Sequence, residues 1–213
     1  MEENEKIIKR YDDRLDAKGF VHESLGWTRD NVMIRLKELI ALIPNDGSRY
    51  KILDVGCGLG SLVDCLEHSD LNFEYLGIDI NPRLIEKCKE VYPEYEFQLL
   101  NEDFDYDCLV YDYALMSGVF NHIRTDGNEK NFMQSMIGKY FALAKKGVVW
   151  NLLTDRVEYN TDHNVNYNVL ETLEFCYSLT NSVAMMNTHL RFEASFAIYK
   201  SSFDRETLRL RAL

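Results

Sequence analysis

The chain reads as an α/β protein, with a mostly parallel sheet, helices on both faces and an antiparallel hairpin at its C-terminal end. Three observations predict this. Between residues 50 and 179, short apolar runs alternate with segments of helical periodicity, the pattern of strands joined by covering helices. A turn with Gly at every second position, Gly56-x-Gly58-x-Gly60, joins the first apolar run to the helix after it. Two last apolar runs, at 183–190 and 192–200, follow one another with no helix between them, as an antiparallel pair does.

Taken in order, Lys6 to Arg14 is a charged helix, and Gly19 to Trp27 is a loop. Val32, Leu36, Leu39, Ile40 and Ile43 recur at helical spacing over 31–43, and Pro44-Asn45-Asp46-Gly47 stops that helix. Strand one covers 50–55 and a helix 60–68 follows it. Strand two covers 74–79. The next helix, 82–91, begins at Pro82, where a missing N–H is tolerated, and ends at Tyr92-Pro93. Strand three is 96–100 and strand four 108–116. Phe132, Met136, Ile137, Tyr140, Phe141 and Leu143 mark a helix over 129–144, and strand five is 147–153. The stretch 155–168 is rich in Asp and Asn and reads as a mobile loop near the active site, ahead of a helix over 169–179. The 213 residues fit one domain, 1–213, with a helical cap (1–45) on a core (46–213).

Composition narrows the function. Lys and Arg number 24 against 35 Asp and Glu, a net charge of −11. A protein that holds nucleic acid by its phosphates carries a basic face, so none is expected as partner. Arg205, Arg209 and Arg211, interspersed with apolar residues, fit a solvated helix face better. The acidic balance favours a small or cationic acceptor over an anionic polymer. No run of 18 apolar residues occurs, so no membrane span is expected. The polar start, Met1-Glu2-Glu3-Asn4-Glu5-Lys6, lacks a signal-peptide core and implies a cytoplasmic protein, monomer or homodimer. Five scattered cysteines, without Cys-x-x-Cys spacing, read as reduced thiols.

The stretch Ile52-Leu53-Asp54-Val55-Gly56-Cys57-Gly58-Leu59-Gly60 resembles motif I of the class I, Rossmann-like S-adenosylmethionine (SAM)-dependent methyltransferases. Tyr75-Leu76-Gly77-Ile78-Asp79-Ile80-Asn81-Pro82 is similar to the family's second strand and its ribose-gripping acid. Asp79 lies 19 residues after Gly60, near the spacing expected for such an acid. The resemblance is good over about residues 50–120 and holds in outline elsewhere. It implies a seven-stranded sheet of order 3-2-1-4-5-7-6 closed by the hairpin. The dinucleotide fingerprint Gly-x-Gly-x-x-Gly would place Gly where Ser61 stands.

The resemblance also assigns residues. Gly56, Cys57, Gly58 and Gly60 would cradle the amino-acid end of SAM, and Asp54 would orient that turn or meet the methionine ammonium through water. Asp79 would take both ribose hydroxyls, with Ile80 flanking the adenine. Asp103 with Phe104 would read the adenine amino group; an acidic turn explains them equally. The motif IV position reads Ser117-Gly118-Val119-Phe120-Asn121-His122. The Asp/Asn-Pro-Pro-aromatic motif of amino-directed nucleic-acid enzymes is absent, as is the Pro-Cys of cytosine-C5 enzymes. With Asn151-Leu152-Leu153-Thr154, this region resembles bacterial small-molecule methyltransferases, in which a pair like Gly26-Trp27 recurs. There Trp27 would cap the cofactor; the alternative is a core aromatic anchoring the N-terminal helix. Tyr11 is a candidate for covering SAM, and Ser117 for contacting it.

Methyl transfer to a hydroxyl or amine needs a base, and His122 is the best-placed candidate, one helix turn beyond the tip of strand four. A surface or capping histidine is the alternative. His163 and His189 are weaker candidates, and His22, in the cap, could face the acceptor. Asp112 and Asp155 have no spacing that calls for a metal. Tyr106, Tyr159 and Tyr167 could line an acceptor pocket, whereas Tyr111 and Tyr113 alternate along a strand and suit the core. The expected activity is methyl transfer from SAM to an oxygen or nitrogen of a small molecule, a sugar precursor or metabolite, releasing S-adenosylhomocysteine (SAH). The alternatives are an NAD(P)-dependent Rossmann oxidoreductase and a non-catalytic SAM-binding protein.

Overall fold

The computed structural model describes residues 3–158, 164–188 and 190–201. In chain order they form α1 (Glu3–Lys18), a 3-10 turn (His22–Ser24), α2 (Arg29–Ala41), β1 (Arg49–Val55), α3 (Ser61–Glu67), β2 (Asn72–Asp79), α4 (Pro82–Val91), β3 (Glu96–Leu99), β4 (Tyr113–Met116), α5 (Glu129–Leu143), β5 (Gly147–Leu153), α6 (Val169–Leu179), β6 (Val183–Met186) and β7 (Glu193–Tyr199). The seven strands make one sheet of order β3-β2-β1-β4-β5-β7-β6. All neighbours are parallel except β5–β7 and β6–β7. This is the expected class I methyltransferase topology, hairpin included.

Alternation along the strands divides the core. Ile52, Tyr113, Leu115 and Val149 pack with Leu36, Leu39, Leu62, Leu66 and Ile85, so α2, α3 and α4 cover one face. Leu53, Ala114, Met116, Val148 and Trp150 pack with Met133, Ile137, Tyr140 and Cys176, so α5 and α6 cover the other. Central strands buried on both faces read as continuous apolar runs, and every residue of β4 and β5 is buried. Local chemistry fixes the helix starts. Asn81 accepts from the Arg83 and Leu84 N–H groups, and Asn168 from those of Leu170 and Glu171.

Three expectations need correction. Strand four begins at Tyr113, not 108. Asp105 Oδ1 accepts from the Asp107 and Cys108 N–H groups and draws this apolar run into a turn. His122 does not follow a helical turn; it sits in a non-helical segment and bridges Asn164. Within 155–168 the described residues are tied down: Thr154 bridges Tyr167, and Asn168 donates to Asp155. Residues 159–163 lie outside the description.

The N-terminal region also divides. α2 packs against α3, β5 and β7 as part of the covering layer, with Tyr199 Oη donating to the Leu42 carbonyl at 2.6 Å. α1 and the 3-10 turn reach the segments after β1, β2 and β4 through His22 to Ser61, Asp12 to Asn81 and Arg10 to His122. Among the described residues, no helix is long and apolar enough to cross a membrane.

Candidate active site

The C-terminal ends of parallel strands are where an open α/β sheet offers a ligand its crevice. Here that end begins with the β1 turn. Gly56, Gly58 and Gly60 all have positive φ, at 74°, 54° and 75°. φ demands glycine at both Gly58 and Gly60, and at Gly60 a Cβ would also lie 2.9 Å from the Tyr92 ring. The Gly56 and Cys57 N–H groups donate to the Ile78 carbonyl at 2.8 and 3.1 Å, locking the turn to β2.

Asp79 closes this half of the site. The Gly58 N–H donates to its Oδ2 at 3.0 Å and the Asn81 N–H to its Oδ1 at 2.9 Å. Each carboxylate oxygen keeps a lone pair for a further donor. Burial pushes the Asp79 carboxyl up, while the N–H groups of Asn81, Gly58 and Ile80 pull it back. Ile80 is half-buried beside it. This donor set suits a ribose diol, and the positive-φ turn lets backbone approach a ligand, so the residues fit the SAM that the family implies.

Asp54 faces β2, where Tyr75 Oη donates to it at 2.8 Å. Complete burial raises its carboxyl to about 7, against the lowering by Tyr75. The Cys57 thiol stands well above its usual range through its hydrogen bond with Cys88 and burial, and Cys88 donates to the Gly58 carbonyl at 3.2 Å. The Cys57 sulfur is therefore no nucleophile. Asp103 is exposed and forms no hydrogen bond among the described residues; Phe104 packs edge-on to Tyr106, 4.9 Å between centroids.

The other half of the site starts at the tip of β4. Asn151 accepts from the Gly118 N–H at 2.8 Å and donates to Ser117 Oγ at 3.2 Å, so β5 sets the motif IV turn. A Cβ on Gly118 would meet Asn121 Nδ2 at 3.8 Å and Trp27 Nε1 at 3.9 Å; both side chains face this turn. The Asn121 carboxamide is buried and its Oδ1 has no partner among the described residues. The Trp27 ring lies 3.3 Å under the guanidinium of Arg35, which forms a buried bidentate pair with Glu193.

Over this lies α1. Tyr11 Oη meets His122 Nε2, and Arg10 Nη1 stands 3.4 Å from His122 Nδ1. Arginine has no acceptor, so Nδ1 accepts from Arg10, and Nε2–H donates to Tyr11. Burial, then Arg10 and Arg14, depress His122 to about 4; burial raises Tyr11 to about 12. Both are neutral at pH 7. Polar latches hold the helix down. Asn81 donates to Asp12 at 2.9 Å, Arg83 pairs with Asp16 at 2.8 Å, and Lys6 donates to Thr125 at 2.9 Å. The 3-10 turn adds His22 against Ser61 Oγ at 2.9 Å.

Thus the structure gathers Asp79, the glycine turn, Ser117, Trp27, Tyr11 and His122 at one end of the sheet. Tyr111, Tyr113 and Tyr167 are core residues. His163, His189, Tyr159, Arg205, Arg209 and Arg211 lie outside the described residues. No cluster of metal-ligating side chains occurs among the described residues. An open cavity of about 370 Å³, lined by Arg49, Asn72 and Tyr95 among others, lies at the other end of β1 and β2 and holds none of these groups. Sequence reading missed Asn81, Asn121, Asn151, Arg10 and Arg14; only Asn81, before Pro82, carried a local signal, that of a helix cap.

Residues 53–149 match the family model described as a methyltransferase domain. The chain is 24% identical over 169 residues to "Putative methyltransferase Rv1506c" of Mycobacterium tuberculosis, covering 75% of this chain and 99% of that protein. Among solved structures, it is similar to the magnesium protoporphyrin IX methyltransferase ChlM of Synechocystis PCC 6803 with bound SAM. That match has TM-score 0.56 and 17% identity, covering 81% of this chain and 77% of that one. The small RNA methyltransferase HEN1 matches with TM-score 0.58 and 16% identity over 79% of this chain and 25% of that one. At these identities the structural likenesses establish the fold alone.

Proposed function

We propose that this chain, a class I Rossmann-like SAM-dependent methyltransferase, moves the methyl group of SAM to an oxygen or nitrogen of a small-molecule acceptor. One observation carries the reading. The Gly58 N–H and the ribose-type acid Asp79 are joined in one buried arrangement, and the neutral Tyr11–His122 pair closes the same end of the sheet.

When bound, SAM supplies a methyl group on an activated sulfonium, so positioning provides much of the rate. Asp79 receives the ribose hydroxyls, and the glycine turn receives the amino-acid end. Asp54, which accepts from Tyr75, orients that turn or meets the methionine ammonium through water. Ser117, held by Asn151, and Trp27, held by Arg35, frame the reacting face. α1 and the 3-10 turn exclude water. His122 is the proton acceptor, reached through the Tyr11 hydroxyl. Asp103 and Phe104 bound the adenine side. The polar contacts that hold α1 down and the acidic charge favour a small acceptor over a polymer. The catalytic unit is a single domain in the cytoplasm.

An NAD(P)-dependent oxidoreductase is disfavoured by Ser61 and by the antiparallel β7 between β5 and β6. A non-catalytic binder would keep Asp79 and the glycines with no use for Tyr11–His122. Titration calorimetry with SAH, with NADH as control, tests the reading. Micromolar SAH binding without NADH binding is expected, and NADH binding alone would overturn it. SAH release from SAM in an acceptor screen then separates enzyme from binder.

A further inference from the structure

α1 sorts its charges by face. Lys6 and Lys9 pair with Glu3 and Asp13, and Asp12 and Asp16 meet Arg83 of α4. Arg10 and Arg14, one helical turn apart, have no carboxylate within ion-pair reach among the described residues. Arg10 stands at His122 Nδ1, and the Arg14 guanidinium lies 5.9 Å from the Tyr11 ring centroid. A Cβ on Gly26, the residue before Trp27, would lie 3.4 Å from Arg14 Nη1. In a chain of net charge −11, two unneutralised guanidinium groups therefore flank the proton acceptor.

Asn121 is the independent second observation. It is 2% exposed, its Oδ1 lacks a donor, and it adjoins His122. A buried acceptor left unpaired is costly, so such a group points to a donor that arrives with a ligand.

We propose that the acceptor is a small oxyanion, a molecule whose carboxylate or phosphate is held by Arg10 and Arg14 and whose N–H or O–H donates to Asn121 Oδ1. This rests on the methyltransferase reading and names its substrate class. The local charge here is opposite to the chain's overall charge. Arginine suits the role because its planar fork matches an oxyanion.

The anion also completes the catalytic pair. The groups facing His122 are Arg10, Tyr11 and Arg14 from α1; Asn164 meets it by backbone, Arg124 is engaged by Asp126, and Asp79 acts on Tyr11 from β2. With Arg10 drawn to the anion, Nδ1 can carry the proton and Nε2 can accept from Tyr11. The nucleophile's proton then passes to Tyr11 Oη as the Tyr11 proton passes to His122 Nε2. The new C–O or C–N bond forms, the C–S bond breaks with its electron pair going to sulfur, and imidazolium, methylated acceptor and SAH result. The imidazolium then releases its proton to solvent.

The test is a histidine-side-chain NMR titration of the full chain saturated with SAH, with His122 assigned from His122→Gln. Inorganic phosphate and acetate are the probes. Either anion is expected to raise the His122 pKa saturably, by at least about one unit toward the free value near 6.5. The responding anion identifies the source as phosphate or carboxylate. Arg10→Gln/Arg14→Gln should lose the response while binding SAH within about twofold of wild type, since neither guanidinium contacts the glycine turn or Asp79. Arg10→Lys/Arg14→Lys, which keeps the charge, should retain it. No saturable response to either anion overturns the proposal. So does loss of SAH affinity in the Gln double variant, which would assign the arginines to the cofactor's carboxylate. Failure of the wild type to bind SAH would instead sink the methyltransferase reading.

Discussion

Where Leu25 rests on Gly58, two differently built regions meet. The glycine turn is held by backbone. Its N–H groups go to the Ile78 carbonyl and to Asp79, all within 22 residues along the chain. The cap is held by side chains reaching far along the chain, Tyr11 and Arg10 to His122 and Asp12 to Asn81, and at its edge Trp27 lies under Arg35 of α2, itself paired with Glu193. A backbone-built region restricts residue type tightly, because only Gly has the φ and the space. A side-chain-built region restricts pairs of residues and leaves each one locally unremarkable.

That contrast predicts its own largest test. Arg35 and Glu193 are both buried, 3% and 7% exposed, and the arginine also carries the Trp27 ring. Arg35→Met strands a buried carboxylate and is expected to cost about 3–5 kcal/mol of stability, read as the urea midpoint and slope. Arg35→Met/Glu193→Leu should recover most of it. A single-variant loss below about 1 kcal/mol would mean that water reaches Glu193 and that the cap rim is looser than its geometry.

The second test is chemical. His122→Ala is expected to lower turnover, followed as SAH release, by about a hundredfold or more, the range of general acid–base contributions. SAH affinity should stay within about twofold, because His122 does not touch the glycine turn. A fall in affinity as large as the fall in turnover would merge the two regions into one.

The same contrast explains what could be read in advance. Gly56, Gly58, Gly60 and Asp79 stand at short fixed spacings, so the positive-φ turn and the acid beside it are legible, as are the strand order and the hairpin. Strand four was misjudged because Cys108 to Val110 are apolar yet Asp105 turns them, a side-chain-to-backbone effect that periodicity does not register. Arg10 and Arg14 looked like any charged helix face. Their meaning depends on His122, more than a hundred residues away, and on there being no carboxylate opposite them among the described residues. Asn121 carries no signal of its own within motif IV, since burial without a partner is a property of the fold.

A smaller effect is expected at the cofactor half. Asp79→Ala removes the acceptor of the Gly58 and Asn81 N–H groups as well as the ribose partner, and should weaken SAH binding by at least about tenfold. Calorimetry reads this directly, and unchanged affinity would remove Asp79 from the site. Because the turn remains pinned to Ile78, the fold should survive, in contrast to Arg35→Met.

The smallest effect distinguishes the regions by sign. Asp54 has its folded pKa raised to about 7, against an unfolded value near 3.9. Its contribution to stability is full below about 4 and is lost as pH rises toward 7, because the folded state binds the extra proton. His122 has its folded pKa lowered to about 4, against about 6.5 unfolded. Its contribution is full above about 6.5 and is lost as pH falls, because the unfolded state binds the extra proton. Between about pH 4 and 6.5, stability differences between wild type and Asp54→Asn, and between wild type and His122→Gln, should therefore slope in opposite directions, each by at most about 1.4 kcal/mol per pH unit. Urea unfolding at several pH values measures both. Two slopes of the same sign would mean that one group is solvated in the folded protein. If that group is His122, α1 is not latched in solution and the cap is an opening element; if it is Asp54, the floor of the glycine turn is wet and its rigidity must come from the Ile78 contacts alone.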